Sequence, residues 1–252
     1  MAPISSPRRL AVIGLKGGTG KTTLAVAMAT TYARARGENI LLFDADTRQG
    51  SLPLRTGVVP VASAHDLAVA GDPGRIEILA GSLARSFDGV WVLPSGRTAE
   101  ESARMDQRVY TDAMNAVYRH FPIMITDCGA GVATPLMQRV LSGTHGLVLA
   151  TTATADGVLT TESAVDWLHR MGYGELTKRS IVVLTNVYPK GAGLTLEEVQ
   201  RRFASSCAAV LSIPADRHLG VGSYLDLDAL APATRAACTA LAGAALRAAL
   251  ST

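Results

Sequence analysis

The sequence has 252 residues, 48% of them hydrophobic and 5% aromatic, with a formal net charge of +3 at neutral pH. That length and apolar share suit one α/β domain, expected over residues 1–252, whose sheet is buried on both faces. The mild charge includes no basic run of the kind that forms a nucleic-acid arm or a polybasic membrane anchor, and no apolar stretch is long enough to span a bilayer.

In chain order, a first apolar run at 10–15 predicts a strand, helical spacing follows over 22–36, and a second run lies at 40–43. Residues 49–89 are rich in Gly, Pro and Ala and weakly periodic, so only a short helix at 66–70 is expected there. Further strands are predicted at 90–93, 123–125, 147–150, 181–184 and 210–213, with helices at 100–120, 135–141, 157–171 and 196–205. After Asp228 an alanine- and leucine-rich helix offers Leu230, Leu241 and Leu246 to the core. The strand runs are nearly continuous in apolar residues, as strands covered on both faces are. Their alternation with helices predicts a single-domain α/β fold: a mainly parallel sheet of about seven strands, helices on both faces and right-handed crossovers. Three dispersed cysteines without a CxxC pair argue against a disulfide framework, a zinc site or a bridging iron–sulfur cluster. The amino terminus lacks a signal-type apolar region, and a soluble cytoplasmic protein is expected.

Between the first strand and first helix lies Lys16-Gly17-Gly18-Thr19-Gly20-Lys21-Thr22-Thr23. A glycine-rich turn between strand and helix lets successive N–H groups face phosphate oxygens without Cβ clashes, and the helix N-terminus adds favourable partial charge. Lys21 is placed to neutralise β- and γ-phosphate oxygens, Thr22 to offer its hydroxyl to Mg²⁺, and Thr23 to reach the α-phosphate. The general phosphate-loop pattern asks for glycine at position 15, where this chain has Leu15. The loop instead fits a form with a second lysine, KGGxGK[ST].

That form resembles the MinD/ParA group of P-loop ATPases, whose first lysine crosses an ATP-bound dimer to the partner's phosphates; here it is Lys16. The segment FDADTRQG resembles the group's DxDPQ, which implies that Asp46 sits by the metal and orients the attacking water, with Thr47-Arg48 replacing Pro-Gln. FPIMITDCGAG matches the Walker B position, implying that Asp127 holds Mg²⁺ through a water. Cys128 beside it has no local histidine to activate it and reads as a small buried residue. Asn186, ending a strand in IVVLTNVYP, takes the place of an asparagine that bonds the adenine edge. Pro214 and Asp216 in IPAD resemble a segment flanking the base. The absence of NKxD favours ATP over GTP.

Four stretches, GLKGGTGKTT, ITDCGAG, TADGVLTTESAVDWLHRMGY and LDLDALAPATRAA, resemble a narrower group, the EspI-like MinD-type ATPases of actinobacterial type VII secretion. Members of that group usually carry a proline-rich amino-terminal extension, which these 252 residues do not contain. The resemblance implies a switch ATPase that uses ATP and Mg²⁺, dimerises when ATP-bound and serves a protein partner. Two alternatives stay open beside it. One is a ParA-like partition ATPase binding DNA nonspecifically, with Arg201-Arg202, Lys178-Arg179 and Arg217 as the residues to form a patch. The other is a nucleotide-gated scaffold with little hydrolysis.

Overall fold

The computed structural model describes residues 4–48, 50–187 and 193–251; the side chains of Asn186 and Val187 fall outside the described residues. Strand β1 (Arg8–Gly14) leads through the phosphate loop into helix α1 (Lys21–Arg36), and strand β2 (Ile40–Ala45) follows. Three short helices come next: α2 (Leu52–Thr56), α3 (Ala64–Ala70) and α4 (Ile76–Ala80). Strands β3 (Ala84–Arg85) and β4 (Trp91–Leu93) precede helices α5 (Ala99–Ala103) and α6 (Gln107–Val117). Then alternate β5 (Ile123–Ala130), α7 (Pro135–Ser142), β6 (Gly146–Thr152), α8 (Ala155–Arg170), α9 (Gly174–Lys178) and β7 (Ile181–Val187). The chain closes with α10 (Leu196–Phe203), β8 (Ala209–Pro214), α11 (Arg217–Val221) and α12 (Pro232–Leu250).

The strands form one sheet in the order β3-β4-β2-β5-β1-β6-β7-β8, parallel except at the β3–β4 edge. Eight strands replace the expected seven because β3, only two residues long, pairs antiparallel inside the segment that reads as irregular. A two-residue strand carries no periodicity of its own. Each strand sends alternate side chains to opposite faces. Ala11, Ile13, Leu41 and Phe43 enter a core beneath α3, α6, α7 and α8, whereas Leu10, Val12, Ile40 and Leu42 enter one beneath α1 and α12. Leu230, Leu241 and Leu246 are buried in the second core as expected, although the final helix begins at Pro232 and Leu230 precedes it.

The helix expected at 100–120 is two helices. Asp106 accepts the N–H groups of Arg108 and Val109 and starts α6 afresh, a stronger signal than continuous helical spacing. The short helix expected at 66–70 begins at Ala64, where Ser63 and Asp66 form a reciprocal capping box. Because β1 lies between β5 and β6, the carboxyl ends of β1, β5 and β2 open side by side where the winding reverses. That is the crevice in which open α/β sheets hold ligands.

Candidate functional site

The loop leaving β1 is folded tightly on itself. Gly14 admits the close approach, since a Cβ there would stand 2.6 Å from Thr19 Oγ1 and 2.9 Å from the Ala150 carbonyl oxygen. Gly20, at φ 81°, turns the chain into α1 in a left-handed conformation that side chains rarely adopt. Thr19 Oγ1 and Lys21 Nζ each donate to the Lys16 carbonyl at 3.3 Å. From β7, the buried Thr185 hydroxyl lies 3.0 Å from the Thr19 carbonyl oxygen and 3.2 Å from that of Thr151, tying the loop to the end of β6.

Helix α1 has no side-chain cap and no acidic residue in its first turn. Ser63, Thr98, Asp106, Thr134, Thr154 and Thr195 cap α3, α5, α6, α7, α8 and α10, whereas α2, α4, α9 and α12, like α1, have no side-chain cap. The first N–H groups of α1 therefore remain available to an external acceptor, and the helix dipole favours an anion. Lys21, 8% exposed, lies at that end. Around it is an open cavity of about 330 Å³, lined by Gly18, Gly20, Lys21, Thr22 and Thr23 and, across from them, by Arg55, Ile213, Leu219 and Gly220. Arg55 is a half-buried cation absent from the sequence reading, and burial lowers its pKa.

Three carboxylates end the neighbouring strands. Asp44 and Asp127 are register partners on β2 and β5, both buried. Burial, then the charge of Asp127, raises the Asp44 carboxyl well above its usual range, against the Asp46 N–H that Asp44 accepts at 2.9 Å. Gly50 lies against Asp44, so a Cβ at that glycine would collide with the carboxylate. Asp127 is pushed up to about 7, chiefly by burial and opposed by a hydrogen bond from Thr22 and the charge of Lys21. Its Oδ1 is buried without a hydrogen-bond partner. Such an orphaned oxygen costs free energy until something positive reaches it.

These features fit a nucleotide triphosphate with magnesium. Open N–H donors and Lys21 match phosphate oxygens, and Thr22 with the partnerless Asp127 oxygen matches a hard cation. Among the described residues no three His, Cys, Asp or Glu side chains converge as a metal cluster. A magnesium site needs no such cluster, because one or two carboxylates suffice when phosphates and waters complete the shell. Asp46 lies close enough for its charge to act on Asp127, and it is held by Arg48.

A second cavity, about 400 Å³, lies beyond Thr47 and Gly129 between the start of α6 and α7. Met105, Leu136, Met137 and Val140 line it and it contains no cation, so phosphate belongs in the first cavity. Cys128 is buried on the wall of this second cavity, and burial raises its thiol well above the ordinary value, as suits a packing residue.

The other residues singled out from the sequence are placed unevenly. Lys16 is ion-paired with Asp156 in the first turn of α8. Asn186 is the penultimate residue of β7, its side chain outside the described residues. Pro214 ends β8 and, like Asp216, is not among the residues lining the first cavity, which Ile213 reaches instead. Asp216 is occupied as a cap: one oxygen accepts the His218 N–H at 2.8 Å and the other the Ala231 N–H at 3.0 Å. The basic residues do not form one patch. Arg202 pairs with Glu162 and Lys178 with Glu175; Arg179 precedes β7 at the amino edge of the sheet, while Arg217 begins α11 at the carboxyl edge. Thr185, Asp156 and Arg55 were missed because each meets the loop from a distant part of the chain. No local pattern could mark them.

Residues 10–219 match the model of the CobQ/CobB/MinD/ParA nucleotide binding domain family. The chain is 30% identical over 226 residues to the ESX-1 secretion-associated protein EspI of Mycobacterium tuberculosis. That match covers 89% of this chain and 34% of EspI, so the chain spans about a third of this relative's length. Among solved structures it is similar to the cell division ATPase MinD of Pyrococcus furiosus, with TM-score 0.73 and 23% identity over 95% of this chain and 98% of that one. It is also similar to the septum site-determining protein MinD of Pyrococcus horikoshii complexed with Mg-ADP. There the TM-score is 0.74, with 22% identity and 94% of each chain covered.

Proposed function

The chain belongs to the CobQ/CobB/MinD/ParA family of nucleotide-binding domains, and from that premise we propose that it is a magnesium-dependent ATPase working as a dimerising switch. The observation that carries this reading is the convergence, on one open cavity, of an uncapped helix N-terminus, Lys21 and a buried Asp127 oxygen without a partner. Gly17, Gly18, Thr19 and Gly20 present backbone donors to the phosphates. Lys21 leaves the Lys16 carbonyl for β- and γ-phosphate oxygens, and Thr23 takes the α-phosphate. Thr22 and Asp127 would hold the magnesium ion, which when bound would supply charge neutralisation on those same oxygens. The base lies toward Ile213, Leu219 and Gly220, with Asn186 at the end of β7 on its edge.

Asp46 orients the attacking water, and Lys16 and Lys21 offset the charge that spreads over the transferring group. Lys16 reaches the partner subunit's nucleotide after giving up Asp156, so ATP binding and association become one event. The likeness to EspI supports a place beside a type VII secretion assembly, where the nucleotide state would set when a partner protein is engaged.

The test is calorimetric titration of Mg·ATP into wild type and Lys21→Ala. Binding by wild type, and its loss by about ten- to a hundredfold in a folded variant, is expected from removal of a buried charge–phosphate contact. Equal affinity in the two proteins would remove the assignment.

A further inference from the structure

Asp46 is already engaged. Its Oδ1 accepts the backbone N–H of Arg48 at 3.0 Å and Arg48 Nε at 3.2 Å, and its Oδ2 accepts Arg48 Nη2 at 3.2 Å. The guanidinium spans both carboxylate oxygens with its planar fork, a geometry that a lysine ammonium does not reproduce. On the other side Gly129 closes in, where a Cβ would stand 2.9 Å from Asp46 Oδ1. A carboxylate oxygen accepts about two hydrogen bonds, so Oδ1 is filled and Oδ2 has one place left. Arg48 is 62% exposed and has no other acidic partner among the described residues. It also stands where the chain departs from the Pro-Gln of the segment it resembles.

We propose that Arg48 is a positioning residue that holds Asp46 idle and thereby slows ATP hydrolysis at this site; the inference rests on the water-orienting role read for Asp46 above. Orienting a water requires a carboxylate oxygen free to accept its hydrogen bond and negative enough to draw its proton. The Arg48 guanidinium takes two acceptor places beside the one held by its backbone N–H, and it offsets the charge, so the carboxylate is weaker on both counts while the pair is closed. Opening the pair frees one acceptor place on each oxygen, Oδ1 keeping the backbone N–H. The contact is local and its arginine end is in solvent, so the restraint is small: exposed ion pairs shift such equilibria by about two- to fivefold. Arg48 therefore acts as a brake on turnover, and the protein needs no larger rearrangement to lift it.

The experiment measures turnover at saturating Mg·ATP, together with ATP affinity, for wild type, Arg48→Ala, Arg48→Lys, Asp46→Asn and the double variant Arg48→Ala/Asp46→Asn. Arg48→Ala should turn over about two- to fivefold faster than wild type with ATP affinity unchanged, and Arg48→Lys should fall between them. Raising KCl from about 50 mM to about 0.5 M should shrink the ratio of Arg48→Ala to wild-type turnover toward one, because salt screens an exposed pair while any other effect of salt is common to both proteins. A residue that only shaped the loop would not create that difference in salt dependence. The double variant should be as slow as Asp46→Asn. Turnover of Arg48→Ala at or below the wild-type rate overturns the proposal, as does activity at background in both. Wild-type turnover in Asp46→Asn instead removes the role of Asp46 itself, and is told apart because it does not depend on Arg48.

Discussion

At the scale of single residues, the site depends on how each carboxylate is partnered. Asp44 and Asp127 are buried and pushed toward their neutral forms, whereas Asp46 keeps contact with solvent and with Arg48. On the proposed mechanism Asp46 is the carboxylate that acts on a water, so Asp46→Ala should retain ATP and lose turnover by on the order of a hundredfold, as measured by phosphate release. Turnover near wild type would transfer the role to another group. A second residue-scale prediction lies at the opposite edge of the sheet. Burial, then the charges of Arg9, Arg8 and Arg179, hold the His145 imidazole below its ordinary value, and His145 Nδ1 accepts the Arg9 N–H at 3.0 Å. On acidification the unfolded chain takes up this proton before the folded one does. The contribution of His145 to stability is therefore complete above about pH 6.5 and is lost as pH falls from there toward the lower folded-state value. His145→Asn should flatten the fall in melting temperature between about pH 7 and pH 5; an unchanged slope would assign that fall to other groups.

At the scale of elements, the phosphate loop is held from outside itself. The Thr185 hydroxyl on β7 fixes the Thr19 carbonyl, and through it the peptide that presents the Gly20 N–H. Thr185→Val keeps the shape and removes the bond, so ATP affinity should weaken about two- to tenfold while Thr185→Ser restores it. Equal affinity in Thr185→Val would show that the loop holds its shape unaided. Helix α1 is anchored at its other end, where Tyr32 Oη donates to the Ala242 carbonyl on α12 at 2.6 Å. Tyr32→Phe should cost about 1 kcal/mol in chemical denaturation and leave nucleotide binding unchanged. The loop, α1 and the strand bearing Asp127 were legible in the sequence because each is contiguous and locally patterned. The Thr185 contact and the Lys16–Asp156 pair were not, because they join residues far apart in sequence. The hydrogen bonds of Asp216 were illegible for a related reason: its motif was visible, but that its oxygens accept the His218 and Ala231 N–H groups is decided by tertiary packing. Residues 49–89 resisted reading since helices of five to seven residues and a two-residue strand are too short to show a period.

At the scale of the whole molecule, the sheet order places the carboxyl ends of β2, β5 and β1 together, and with them Asp46, Asp127 and the phosphate loop. Parallel alternation of strands and helices was readable from apolar runs alone, and the added edge strand β3 leaves that arrangement unchanged. Among the described residues no helix is long and apolar enough to cross a membrane. On the proposed mechanism nucleotide state sets association, with Lys16 exchanging an intrachain partner, Asp156, for phosphate on a second copy. Two facing triphosphates repel each other, and a lysine from each subunit offsets that repulsion at short range. Loss of Lys16 should therefore uncouple binding from assembly while Lys21 still holds ATP. The most direct measurement is the solution mass of wild type and Lys16→Ala by sedimentation, with Mg·ADP and then with a nonhydrolysable Mg·ATP analogue. Wild type should be monomeric with ADP and dimeric with the analogue, and Lys16→Ala monomeric with both. The same mass in both nucleotide states for wild type, or a Lys16→Ala variant that dimerises as wild type does, would contradict the switch.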